Sequence, residues 1–196
     1  MTTRRIVLAS SSPRRQELLS KVGLDFEVIP AEFDESAVSG SPDQVVKALA
    51  LEKAREVARK VEHSRDALVI GADTVVYIDG KILGKPADDR EAALMLGMIS
   101  GRTHIVYTGI AVIDTVTGKT LVESEESRVH IRDLEPSEID AYVRTGEPGD
   151  KAGAYAVQGR GSVIVDRIEG CYFNVVGLPM SRLALMLKEF GVRILG

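Results

Sequence analysis

Strand-like apolar runs alternate with helical stretches along nearly all of this 196-residue chain, and that alternation confines it to an α/β architecture. Ile6-Val-Leu-Ala9 reads as a short buried strand. Ser12-Pro13 opens a helix whose apolar stripe is Leu18, Leu19 and Val22, and Gly23 stops it. Phe26–Ile29 is a second strand. Ser41-Pro42 starts a second helix, with Gln44 completing a capping box, and it runs to Val61. Ala67 to Ile82 reads as strand, a Gly-Ala-Asp interruption, more strand and an Asp79-Gly80 hairpin turn. Asp88-Asp89 caps a third helix that ends near Gly101. Two long strands follow, Thr103–Asp114 and Lys119–Leu134, joined at Thr117-Gly118. As an antiparallel pair they make the sheet mixed rather than purely parallel. A short helix spans Ser137 to Gly146, a glycine-rich loop Glu147 to Gly161, a strand Ser162 to Ile168, and a last helix Pro179 to Phe190.

Composition narrows the function class. The net charge of −4 argues against bulk nucleic-acid binding, which needs a basic face, but leaves room for a local basic pocket. Cys171 is the only cysteine, so no internal disulfide forms and a reducing compartment is expected. The apolar run after Met1 is too short for a signal peptide. No stretch reaches the roughly 18 apolar residues of a membrane span. The expectation is a cytoplasmic protein of one domain, residues 1–196, with enough chain for a real core and two lobes.

Five segments carry the chemistry. Ser10-Ser-Ser12-Pro-Arg14-Arg15 begins a helix. Two arginines in a first turn oppose the helix dipole, and a bound anion would reverse that argument, so the segment is either a phosphate cradle or a solvated basic turn. Asp73 interrupts the apolar run Leu68-Val-Ile-Gly-Ala-Asp73-Thr-Val-Val. A carboxylate there is costly unless it is paired, bound to a metal or set in a cleft; otherwise it is a strand-end turn residue. Gly71 before it allows a bulge or a close backbone approach. Lys53 lies in the stripe Val46, Ala50, Lys53, Val57, where it either snorkels or reaches into a site. Gly84-Lys85-Pro86 extends the lysine backbone, or is an ordinary polar loop. The loop from Gly146 to Gly161 is neither a Walker P-loop nor a Rossmann fingerprint; its glycines and charges of both signs either wrap a ligand or make only a flexible turn. His63, His104 and His130 lack ligand spacing, which argues against zinc, and no Gly-x-Ser-x-Gly elbow is present.

Taken in order, Ser10-x-Ser-Pro-Arg14-Arg15, Gly71-Ala-Asp73-Thr74, Gly84-Lys85-Pro86, Ser100-Gly101 with Thr103, Asp150-Lys-Ala-Gly-Ala-Tyr155 with Gln158-Gly159, and Asn174-Val-Val-Gly-Leu-Pro179 resemble the Maf-like nucleotide pyrophosphatases. The resemblance implies a two-lobed mixed sheet flanked by helices, similar to the inosine triphosphate pyrophosphatases, with the nucleotide in the cleft between the lobes. It implies a homodimer, a divalent cation, and hydrolysis of a nucleoside triphosphate to the monophosphate and pyrophosphate. Asp73 corresponds to the proposed general base. Arg14, Thr74 and Gln158 match the branch that prefers dTTP and UTP rather than the one that prefers 7-methyl-GTP. Roles in nucleotide-pool sanitation and in arrest of cell division are implied as well.

The charges suit that expectation. A triphosphate brings about four negative charges, which Arg14, Arg15, Lys53, Lys85 and Lys151 can offset beside the hydroxyls of Ser10 and Ser12. Glu35 and Asp73 are the candidates to hold Mg²⁺ or Mn²⁺. Thr74 and Gln158 have the donors and acceptors to read a pyrimidine edge. The rival readings are a nucleotide-binding regulator of septum formation without turnover and a nucleotidyltransferase. Asp73 argues against the first, and the second needs an acceptor substrate.

Overall fold

A computed structural model describes residues 4–32, 38–61 and 66–195. Its elements, in chain order, are β1 (Arg5–Leu8), α1 (Pro13–Lys21), β2 (Glu27–Val28), α2 (Pro42–Val61), β3 (Ala67–Ile78), β4 (Lys81–Leu83), α3 (Asp89–Ile99), β5 (Thr103–Asp114), β6 (Thr120–Ile131), α4 (Pro136–Val143), β7 (Val165–Gly170), α5 (Tyr172–Val176) and α6 (Met180–Lys188). Three short 3-10 turns, Glu147–Asp150, Ala152–Ala154 and Gly159–Val163, lie between α4 and β7. Among the described residues the sheet has seven strands, in the order β2-β1-β3-β5-β6-β7 with β4 paired to β3. β1 runs parallel to both β2 and β3, whereas β4 and β7 run antiparallel to β3 and β6. The sheet is therefore mixed, as the strand pattern required.

The chain divides into two compact units, Met1–Asp73 with Thr108–Glu125 and Gly177–Gly196, and Thr74–Tyr107 with Glu126–Val176. The core of the first sets Ala50, Ala54, Val57 and Val61 of α2 against Val7, Val69, Ala111 and Ile113 of the strands. The core of the second gathers Met95, Leu96 and Ile99 of α3 with Val76, Val106, Val129 and Ile131 of the strands and Tyr142 and Val143 of α4. Helix α2 thus buries one face at helical spacing, whereas β3 is buried on both faces, Leu68 and Ile70 as fully as Val69.

Several local expectations hold in atomic detail. Ser41 and Gln44 form a reciprocal capping box, Ser41 N donating to Gln44 Oε1 at 3.1 Å and Gln44 N to Ser41 Oγ at 3.4 Å. Asp88 caps α3 by accepting from Glu91 N at 2.7 Å. Asp79 and Gly80 both take positive φ, 50° and 78°, as a two-residue hairpin turn requires.

Other expectations are corrected. β3 is continuous through Gly71-Ala-Asp73, because Gly71 serves a close approach and not a break. A Cβ at Gly71 would lie 2.1 Å from the Ala50 carbonyl oxygen. Gly109 of β5 repeats the device, its Cβ position falling 2.1 Å from the Val46 oxygen. Helix α4 starts at Pro136, one residue before Ser137, and is capped by Glu135 in a reciprocal bond with Glu138. The segment expected to begin a strand at Ser162 first coils through Gly159–Val163, so β7 starts at Val165. Helix α5 had no periodic signal, being too short to show one.

Candidate active site

Helix α1 starts at Pro13, and its flanking Ser12 is extended with no side-chain cap. The cap-like role falls to Ser10, whose hydroxyl accepts from Ser12 N at 3.2 Å. Ser10, two residues beyond the end of β1, is buried. Arg15 Nε donates to the Gly177 carbonyl at 2.8 Å, and Nη1 donates to the Ala72 carbonyl at 2.9 Å and to Ser10 Oγ at 3.2 Å. Those acceptors offset the unfavourable position of a cation at a helix start. Arg15 thereby braces the first turn of α1 against β3, at the residue preceding Asp73, while Arg14 is half-buried on the same turn.

The centre of this group is an ion pair. Lys53 Nζ stands 2.5 Å from Asp73 Oδ1, and the two side chains retain only 15% and 10% exposure. Lys53 does not snorkel to the surface; it turns from the apolar stripe of α2 toward β3. The glycine at position 71 allows this, because it lets the α2 backbone come close enough for one lysine stem to span the gap. A carboxylate in an apolar strand is thus compensated by charge and hydrogen bonding together.

The remaining candidates belong to the second unit. Thr74 follows Asp73 on β3 and is half-buried. Lys85 is exposed, and the preceding Gly84 carbonyl accepts from Gly153 N at 3.0 Å. Lys151 Nζ donates to the Glu147 carbonyl at 2.7 Å and lies 2.5 Å from Asp150 Oδ1. Gln158 is half-buried between two of the 3-10 turns. The Gly146 to Gly161 loop is a folded scaffold rather than a merely flexible turn: Gly153 has φ 68° and a Cβ would press to 2.8 Å from Val76.

No signal in the sequence pointed to the buried partners of His104 and Asn174. His104, 1% exposed, shares a 2.7 Å hydrogen bond between Nε2 and the Tyr155 hydroxyl. Burial, with His130 nearby, pushes His104 down to about 4, and burial together with Tyr142 pushes Tyr155 above the usual phenol range. Asn174 donates to the Val106 carbonyl at 3.0 Å and to Ser127 Oγ at 2.9 Å, so the Asn174 motif acts as a structural staple. None of these pairs has a regular spacing in the chain, and only folding brings them together.

Among the described residues, no group of three His, Cys, Asp or Glu side chains gathers to hold a metal ion. Glu35, one of the two expected ligands, lies outside the described residues. A single well-placed carboxylate still suits a Mg²⁺-type ion, which is commonly held by one or two carboxylates plus substrate phosphates. Among the described candidates Asp73 is the carboxylate of that kind, and Lys53 Nζ already lies 2.5 Å from it.

The chain matches the family model described as Maf-like protein over residues 5–190. It is 54% identical to the dTTP/UTP pyrophosphatase of Pelotomaculum thermopropionicum over 97% of this chain and 98% of that relative. It is 53% identical to the dTTP/UTP pyrophosphatase of a Thermoanaerobacter species over 97% of this chain and 100% of that one. In fold it is similar to a HAM1 protein from Coxiella burnetii, with a TM-score of 0.50 at 18% identity over 95% of this chain and 99% of that one. The Ham1 protein of Staphylococcus aureus is equally similar, with a TM-score of 0.50 at 17% identity over 95% and 100% of the two chains. With a family match across nearly its whole length and relatives identical at about half their positions, the chain belongs to the Maf-like protein family.

Proposed function

We propose that this protein hydrolyses dTTP and UTP to the monophosphate and pyrophosphate. The observation that carries the proposal is the Lys53–Asp73 pair, a carboxylate and an ammonium 2.5 Å apart within an apolar strand. Two relatives of about half identity are named for that activity.

In this reading a water attacks the α-phosphorus. Asp73 takes its proton, and the α–β bridging bond breaks to release pyrophosphate. Lys53 compensates Asp73 before the nucleotide arrives and shifts part of its charge to the phosphates when it binds. Ser10, Ser12, Arg14, Lys85 and Lys151 supply further donors to the triphosphate. Arg15 contributes by holding Ser10 and the first turn of α1. Thr74 and Gln158 read the pyrimidine edge. A divalent cation, Mg²⁺ or Mn²⁺ with Asp73 among its ligands, would neutralise phosphate oxygens when bound. The lone Cys171 agrees with action on the cytoplasmic nucleotide pool, and a homodimer belongs to the same reading.

A panel of nucleoside triphosphates with Mg²⁺, read by phosphorus NMR, tests the proposal. Pyrophosphate and monophosphate from dTTP and UTP are expected, and Asp73→Asn should lower the rate by at least about a hundredfold. Orthophosphate with a nucleoside diphosphate as the main products would rule the reaction out. A near-wild-type Asp73→Asn rate would remove the base assignment alone.

A further inference from the structure

The segment from Ala156 to Gly161 carries Gln158 but pairs with no strand. One carboxylate and one phenol shape it. Glu147 Oε1 accepts from Gly161 N at 2.9 Å and from the Tyr142 hydroxyl at 2.8 Å, and Glu147 Oε2 accepts from Arg160 N at 3.0 Å. The Tyr142 hydroxyl in turn accepts from Ala156 N at 3.1 Å. Both ends of the segment are therefore tied to the Glu147–Tyr142 pair, with Gln158 between them.

Two glycines show how tightly the chain is drawn in. At Gly159, with φ 64°, a Cβ would meet Glu147 Oε2 at 2.7 Å. At Gly161 it would meet the Ala156 oxygen at 2.1 Å and the Tyr142 oxygen at 2.5 Å. Burial alone would raise the Glu147 pKa, but the Gly161 and Arg160 amides, the Tyr142 hydroxyl and Lys151 together bring it below the usual range. The carboxylate stays ionised and acts as a half-buried acceptor for main-chain amides.

We infer that Glu147, acting with Tyr142, is a positioning residue for Gln158 and through it sets the preference for a pyrimidine over a purine. The inference rests on the reading of Gln158 as a base-contacting residue. Glu147 does not meet the nucleotide in this account. Its work is to hold one backbone path, so that the Gln158 amide is presented without an ordering cost on binding. Lys151 acts on this carboxylate through its charge alone, since its hydrogen bond goes to the Glu147 main-chain carbonyl, which a side-chain change leaves in place.

Glu147→Gln is the informative variant. It keeps the shape but turns one acceptor oxygen into an amide donor facing main-chain N–H groups. The test measures kcat/KM for dTTP and for dGTP in the wild type, Glu147→Gln, Gln158→Ala and the double variant, with a thermal melt of each. Glu147→Gln should lower the dTTP-to-dGTP ratio about tenfold, the equivalent of one lost charge-assisted bond. In the Gln158→Ala background the same change should alter that ratio by less than about twofold. Tyr142→Phe, which removes only the hydroxyl, should move the ratio in the same direction and serves if Glu147→Gln does not fold. An unchanged ratio in folded Glu147→Gln, with Gln158→Ala eroding it, overturns the inference and leaves the base-reading role intact. An equal loss for both nucleotides, or an effect that persists in full without Gln158, overturns it as well. A ratio untouched by Gln158→Ala removes the base-reading role and the inference with it.

Discussion

Replacing Lys53 with methionine isolates the energetics at the centre of the site. Methionine keeps an unbranched stem of similar length and removes the ammonium, so Asp73 is left as a carboxylate in an apolar strand. Losing one partner of a fully buried ion pair costs about 3–5 kcal/mol. Here the pair is close, at 2.5 Å, but the side chains keep 15% and 10% exposure, which lets water solvate part of the orphaned charge. That discount brings the expected loss to about 2–4 kcal/mol. For a chain of this size the melting temperature should fall by roughly 5–15 °C. Adding Asp73→Asn removes the orphaned charge and should recover more than half of the loss. The assay is urea unfolding at pH 7 of the wild type, both single variants and the double variant, without nucleotide or added metal. A coupling energy below about 0.5 kcal/mol in that cycle would show that the pair is an incidental contact, and the account of how β3 tolerates Asp73 would be wrong.

Two further outcomes follow from the packing. Gly71→Ala places a Cβ 2.1 Å from the Ala50 oxygen and 2.8 Å from Ala54 N, so α2 must recede from β3. The cost is about 1–3 kcal/mol of overpacking, partly offset by about 0.4–1 kcal/mol from a stiffer unfolded chain. The same recession lengthens the Lys53–Asp73 contact and should lower kcat/KM by at least about tenfold; a wild-type melt and wild-type rate would refute the close-approach argument. The second outcome concerns His104, held down to about 4 by burial from an ordinary value of 6.5. Between those values the unfolded chain binds a proton that the native chain does not, so stability is full above pH 6.5 and falls as pH drops to about 4, by on the order of 3 kcal/mol. Urea melts across that window should show a flatter slope in His104→Gln than in the wild type, and identical slopes would remove the assignment.

The alternation of periods, the Ser41-Gln44 and Asp88 caps and the Asp79-Gly80 turn were legible in the sequence alone, because each rests on interactions within a few residues of chain. The sequence also marked Lys53 and Asp73 as misplaced charges, since a polar residue in an apolar period is visible without a structure. Whether they meet was not visible. That depends on how closely α2 lies on β3, which Gly71 permits only through its contact with Ala50. Arg15 looked like a companion of Arg14 for the same reason: its acceptors at Ala72 and Gly177 are distant in sequence, one of them 162 residues away. The Gly146 to Gly161 loop showed its glycines but not their purpose, because Gly153, Gly159 and Gly161 press on Val76, Glu147 and Tyr142 respectively rather than on one another. Short-range hydrogen bonds and periodic burial are properties of local chain, and the sequence determines them. Charge pairing and amide capture across a fold depend on distances that exist only after the chain has packed, and there the tertiary structure decides.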